Sequence, residues 1–201
     1  YTNTTGSYNV AIGTYSMEKG TTSNHYNVAI GRMSMRGSAS YTTSSNNTAI
    51  GYYALRQNSS GSYNTGIGFN SNSSSVTATG QVTLGDANVT SLRCNDTSIS
   101  SLSDVRDKTD IIDSPYGLDF INTIQPKQYK WQTREGNIKD GSTRIGFIAQ
   151  ELLEACQGEN DKLELVMEDN PDRLEAKYGN LLPIMVQAIK DLTARIEELE
   201  A

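Results

Sequence analysis

A pair of apolar residues flanking a small one returns along the first half of the chain. Asn9-Val-Ala-Ile-Gly13 recurs as Asn27-Val-Ala-Ile-Gly31, Asn47-Thr-Ala-Ile-Gly51 and Asn64-Thr-Gly-Ile-Gly68, with a degenerate copy at Gln81-Val-Thr-Leu-Gly85. Counted from the first residue of each copy, the steps are 18, 20, 17 and 17 residues. Within a copy the side chains alternate, so Val10 and Ile12 share one face of a strand and Asn9, Ala11 and Gly13 the other. A return of this length predicts a solenoid, in which each unit buries its face only by stacking on its neighbours. The small residues let another backbone approach closely, and Ser/Thr/Asn/Gly segments between copies read as turns. Val76 to Ile99 keeps a strand-like alternation but loses the strict motif. It is expected to be an interwound β-segment that closes the shaft.

The period then changes. Leu118, Phe120, Ile121 and Ile124, ahead of Pro126, predict a short helix that stops before the proline. Gln128–Gln132 and Arg144–Ile148 alternate like two pairing strands. "AQELLEAC" reads as a helix with Leu152 and Leu153 facing inward. Tyr178, Leu182, Met185, Ile189, Leu192, Ile196 and Leu199 follow a 4-3-4-3-4-3 spacing, a heptad seam. Ile at a with Leu at d leans towards a parallel dimer. Leu181, Val186 and Ala188 flank the seam and widen its apolar face, as a third helix requires. The competing reading is an amphipathic helix packed on its own domain.

Charge divides the chain at the same place as pattern. Residues 1–102 carry eight charged side chains and no proline; residues 103–201 carry the other 32, all four prolines and Trp131. The overall net charge of −6, with a pI near 4.8, argues against nucleic-acid binding through phosphate contacts. No apolar run approaches the ~20 residues of a membrane helix, so no membrane insertion is expected. No Cys/His cluster offers a metal site, and no cofactor is expected; the single histidine, His25, reads as a solvated turn residue. Glu18, Asp86 and Asp96 are the only carboxylates before residue 103 and form no convincing glycosidase pair. Cys94 and Cys156 read as two free thiols, reduced as in a cytoplasm. The chain opens in mid-pattern at Tyr1, as the end of something longer would.

Residues 8–85 resemble the β-roll coils of trimeric adhesin heads and phage tail-fibre shafts, where "NxAIG" units recur. "SDVRDK" at Ser103–Lys108, "GLDFINTIQPKQYKW" at Gly117–Trp131, "GFIAQEL" at Gly146–Leu152 and "YGNLLPIMVQAIKDLTARIEELE" at Tyr178–Glu200 resemble the C-terminal intramolecular chaperone domain of phage tail spikes and fibres, the endosialidase-type peptidase S74 family. That resemblance implies a mixed fold: an all-β trimeric repeat shaft over 1–102 (a β-roll or interwound β-helix), then an α+β chaperone domain over 103–201 ending in a trimeric coiled coil over 178–200. It implies a homotrimer seamed by Leu182, Met185, Ile189, Leu192, Ile196 and Leu199. It implies a host-cell surface receptor, with glycans among the candidates, and a place in the virion tail after assembly in the host cytoplasm. It also implies self-cleavage between Leu102 and Ser103, with Ser103 as nucleophile, Lys108 as its basic partner, and Asp104 and Arg106 in support. The competing function is a bacterial trimeric adhesin fragment whose coiled coil is a permanent stalk.

The chemistry has its own requirements. A serine hydroxyl needs a base, and a lysine serves only when burial or a neighbouring cation drives its pKa from ~10.4 towards ~7–8. Arg106 pushes that way; Asp104 and Asp107 push against it. Five residues apart, the two side chains face opposite sides of a strand or stand about 140° apart on a helix. Either a turn folds the segment back, or the lysine comes from a neighbouring subunit; the second is the expectation, because cutting would then wait for assembly.

Overall fold

The computed structural model describes residues 6–19, 24–37, 43–96, 98–132 and 141–201. They divide into two compact units, the first ending at Leu92 and the second beginning at Arg93.

The first unit is a β-solenoid of parallel strands. β1 (Val10–Ile12), β2 (Val28–Ile30), β3 (Thr48–Ile50), β4 (Thr65–Ile67) and β5 (Val82–Leu84) stack in that order, with Val10 opposite Val28 and Ile30 opposite Ile50. Each is the middle of one sequence repeat. The face turned into the coil is the small and polar one. Asn27, Asn47, Asn64, Ala29 and Ala49 are fully buried, whereas Ile12, Ile50 and Ile67 are exposed. Met17, Met35 and Leu55, one per coil from the turn after the strand, fill the rest of the interior.

Asparagine occupies the first motif position because its short arm carries both an acceptor and a donor. Asn9 Oδ1 accepts the backbone N–H of Asn27 at 3.0 Å, Asn27 Oδ1 that of Asn47 at 2.9 Å, and Asn47 Oδ1 that of Asn64 at 2.9 Å. The amide nitrogens donate to carbonyls of the next coil: Asn27 to Ser44 at 2.9 Å, Asn47 to Gly61 at 3.0 Å, Asn64 to Ala78 at 2.7 Å. At the last copy the Gln81 backbone N–H donates to Asn64 Oδ1 at 3.0 Å, and its side chain turns back to Ser74. The motif glycine has a different constraint. Gly51 sits at φ 136°, and a Cβ there would lie 2.3 Å from the Gly68 carbonyl oxygen. Coil-to-coil spacing therefore forbids a side chain at that position.

Beyond β5, the stretch expected to continue as interwound β-structure has no strand within this chain among the described residues. From Asn88 to Pro115 every described residue is exposed, including Leu92, Ile99, Leu102 and Ile112.

In the second unit, α1 (Leu118–Ile121) is shorter than its apolar pattern. β6 (Lys127–Lys130) pairs antiparallel with β7 (Thr143–Gly146), as expected of those segments. There follow α2 (Ala149–Ala155), α3 (Asn160–Leu163), the short antiparallel pair β8 (Val166–Met167) and β9 (Glu175–Ala176), and the long α4 (Leu181–Glu200). Leu152, Cys156, Leu163, Leu165, Val166, Leu181 and Ile184 form the core, with Phe120 and Phe147 packed against it. Burial pushes the Cys156 thiol above its ordinary range, while Cys94 is exposed; both are free.

α4 has two apolar faces. Leu181, Ile184 and Ala188 are buried in the unit's own packing, so Leu181 and Ala188 do not widen the heptad seam as expected. Leu182, Met185, Ile189, Leu192, Ile196 and Leu199 are all exposed along the other side, with Val186 beside them. Asp191 ties the helix to α1: its Oδ2 accepts the Leu118 N–H at 2.9 Å, and its Oδ1 accepts from Gln187 at 2.9 Å. Gly117 makes room for it, since a Cβ there would lie 2.1 Å from that Oδ2.

Two outcomes follow from these contacts. Asn47→Ala leaves the buried Asn64 N–H without its acceptor and should cost about 1–3 kcal/mol in urea unfolding followed by circular dichroism. The same change at Asn9, in the first described coil and partly exposed, should cost less. The Leu118 N–H, then Gln187, hold the Asp191 carboxyl below its ordinary pKa. A depressed folded-state pKa gives stability that is present above the unfolded value, about 3.9, and lost as pH falls through the folded one. Asp191→Asn should therefore lower the Tm of the second unit at pH 7, and the gap to wild type should narrow as pH falls below about 4.

Candidate active site at a capped turn

Residues Val105–Asp107 form a single 3-10 turn. Asp104 precedes it in extended conformation and caps it: its Oδ1 accepts the Arg106 backbone N–H at 2.9 Å. The Arg106 guanidinium returns to the same carboxylate, Nε to Oδ1 at 2.9 Å and NH2 to Oδ2 at 2.6 Å, a two-pronged pairing. The Arg106 side chain, then its backbone N–H, hold the Asp104 carboxyl below the usual range, and the pairing raises Arg106. The turn closes through Asp107 N–H to Asp104 O and Lys108 N–H to Val105 O, each at 3.2 Å.

This closure decides where the nucleophile and base candidates lie. Residues before and after one tight turn point back towards each other, and Lys108 Nζ donates to Ser103 Oγ at 2.6 Å. Of the two sequence-derived geometries, a turn that folds the segment back is the one present. The contact is made within one chain. Leu102, on the other side of the peptide bond to Ser103, is fully exposed. Ser103, Asp104, Arg106 and Lys108 are exposed as well.

The downstream motifs serve the fold around this segment. Gly117 receives Asp191. Gly146 lies against the Tyr178 and Tyr129 hydroxyls, and Tyr178 Oη accepts the Phe147 N–H at 3.1 Å. The Asp191 contact spans 73 residues and carried no signal in the sequence. The seam residues of α4 lie elsewhere in the unit and take no part in the turn. Among the described residues, no three His, Cys, Asp or Glu side chains gather as metal ligands, and no helix is long and apolar enough to cross a membrane.

The arrangement has the parts of a serine nucleophile with an amine beside it. With the amine neutral, the same contact runs the other way: Oγ–H donates to Nζ, and the amine can take the hydroxyl proton. Comparison with known proteins agrees on the segment. Residues 103–160 match the peptidase S74 family, described as chaperone of endosialidase, and the match begins at Ser103. No curated protein and no solved structure matches the chain. Residues 103–160 thus match the chaperone-of-endosialidase family, and a parallel β-solenoid precedes them in the same chain.

Proposed function

We propose that the chain is the distal end of a phage tail fibre or spike whose C-terminal domain assembles three copies, guides folding of the solenoid shaft, and then cuts itself off between Leu102 and Ser103. The observation that carries the reading is the 2.6 Å contact between Lys108 Nζ and Ser103 Oγ, at the first residue of the family segment.

In the cut, Ser103 Oγ attacks the carbonyl carbon of Leu102 while Lys108 takes the hydroxyl proton. The proton passes to the nitrogen of Ser103 as the C–N bond breaks, leaving the Leu102 acyl group as an ester on Oγ. Water then hydrolyses that ester, giving a carboxylate on Leu102 and a free amine and hydroxyl on Ser103. Asp104 and Arg106 are positioning residues: they close the turn that holds the two reacting side chains together.

Assembly is supported by what one chain leaves uncovered. The α4 seam, the Val/Ile face of the solenoid strands and the whole Asn88–Pro115 segment expose apolar side chains. Their natural cover is other copies of the chain, with the heptad seam holding three in register. An amine becomes an effective base only when its charge is driven off, and burial does that. Residues 101–115 are all exposed in one chain, so other copies supply the burial. The dyad is built locally and switched on by assembly. The copies act in the host cytoplasm, and the finished shaft stands in the virion tail facing a host surface receptor.

Ser103→Ala should abolish cutting on a denaturing gel while light scattering still reports the trimer; cutting at the wild-type position and rate would remove Ser103 from the mechanism. Trimers mixed from Ser103→Ala and Lys108→Ala chains should stay uncut at every ratio, because each chain carries only half of its own dyad. Asp104→Ala removes a cap worth about 1 kcal/mol and should slow cutting about fivefold. Asp104→Asn should recover part of that rate, with the pH profile unmoved, since Asp104 exchanges no proton with the substrate.

A further inference from the structure

All five charged side chains of residues 1–85 lie in the turns that follow β1, β2 and β3. They are Glu18, Lys19, Arg32, Arg36 and Arg56, a net charge of about +3. Exposed aromatic rings share those turns. In-register stacking places Arg32, Tyr52, Phe69 and, in the last coil, Asp86, each directly after a motif glycine, in one row along the solenoid. Arg32 NH1 donates to Tyr52 Oη at 2.9 Å, and the Tyr52 and Phe69 ring centroids are 5.6 Å apart. A second row runs beside it, with Arg36 at 5.6 Å from the Tyr15 centroid and Arg56 at 4.4 Å from that of Tyr53. Two carboxylates share the edge: Glu18 pairs with Arg36 at 2.6 Å, and Asp86, at the far end of the row, is held by Asn88.

We propose that this edge binds an acidic saccharide running along the solenoid, which deepens the receptor-facing role proposed above. A guanidinium offers a planar fork to a carboxylate or phosphate, and the face of an aromatic ring carries partial negative charge that suits the C–H face of a pyranose. Parallel coils repeat about every 4.8 Å, close to the length of one sugar unit in an extended chain. A glycan along the axis therefore meets a ring or a guanidinium at each of the first four coils. Up to Leu92 the only other charge is Asp86, so the edge is a local positive feature on a shaft that is otherwise nearly neutral.

The test immobilises a polyuronate, a sialic acid oligomer and a phosphorylated mannan, with dextran and a single-stranded oligothymidylate as comparisons, and passes the full chain over each. Binding to at least one acidic glycan is expected, about tenfold or more above dextran and stronger than to oligothymidylate, and weakening as salt rises. Arg32→Gln with Arg56→Gln should reduce it about tenfold or more, with the circular dichroism melt as a check of folding. Arg32→Lys with Arg56→Lys keeps the charge but loses the forks, and should still cost several-fold. Binding to none of the three glycans, stronger binding to oligothymidylate, or lysine variants equal to wild type would overturn the proposal. Self-cleavage is read on a gel from the same samples, so a failure here is distinct from a failure of the cutting mechanism.

Discussion

Every coil of the shaft depends on a hydrogen bond that it cannot make alone. The side chain of Asn47 is fully buried, and its partners are the Asn64 N–H and the Gly61 carbonyl of the following coil. Until that coil is in place, a buried amide has unmet partners, which costs more than the finished bond contributes. Contacts 14 to 20 residues apart must therefore form together along the stack. The apolar side of each strand adds a second demand, because Ile12, Ile50 and Ile67 find no cover within one chain. A structure of this kind nucleates slowly and exposes apolar surface meanwhile. A domain that gathers copies early meets that need, which is the physical case for a chaperone segment following a solenoid.

In the proposed self-cleavage, timing follows from a division of labour at residues 103–108. Geometry comes from six consecutive residues: one capped 3-10 turn, one guanidinium–carboxylate fork, and a serine and a lysine brought back to back. Desolvation comes from outside, because no part of the described chain covers the turn. On that proposal, release of the domain takes from the shaft the element that registered it. Its persistence then rests on the rate of unfolding, not on an equilibrium with separated chains.

Much of this was legible in the residues, and the exceptions have physical causes. The repeat, its strand alternation, the β6–β7 pair and α2 follow from period alone. Alternation did not say which strand face lies inside, because hydrophobicity and hydrogen bonding compete there. The buried backbone requires Asn, and the Val/Ile face is left outward. The Ser103–Lys108 contact was not legible because the periods of regular elements place the two apart. A single turn with its own cap obeys neither period, and Asp104, two residues before Arg106, was the available signal. Leu181 and Ala188 looked like part of the seam because a heptad does not show where a helix meets its own domain. Asp191 was invisible because its partner is a backbone N–H far away in sequence.

The central claim is that the dyad is complete in one chain but works only when copies cover it. Its most direct measurement is refolding of the full chain from denaturant over a wide range of concentrations, with the fragments identified by intact mass spectrometry. A fragment beginning at Ser103 should appear, at a rate that rises steeply with chain concentration at the dilute end and levels off once assembly is complete. Cutting at one rate across all concentrations, or fragments that never begin at Ser103, would contradict it.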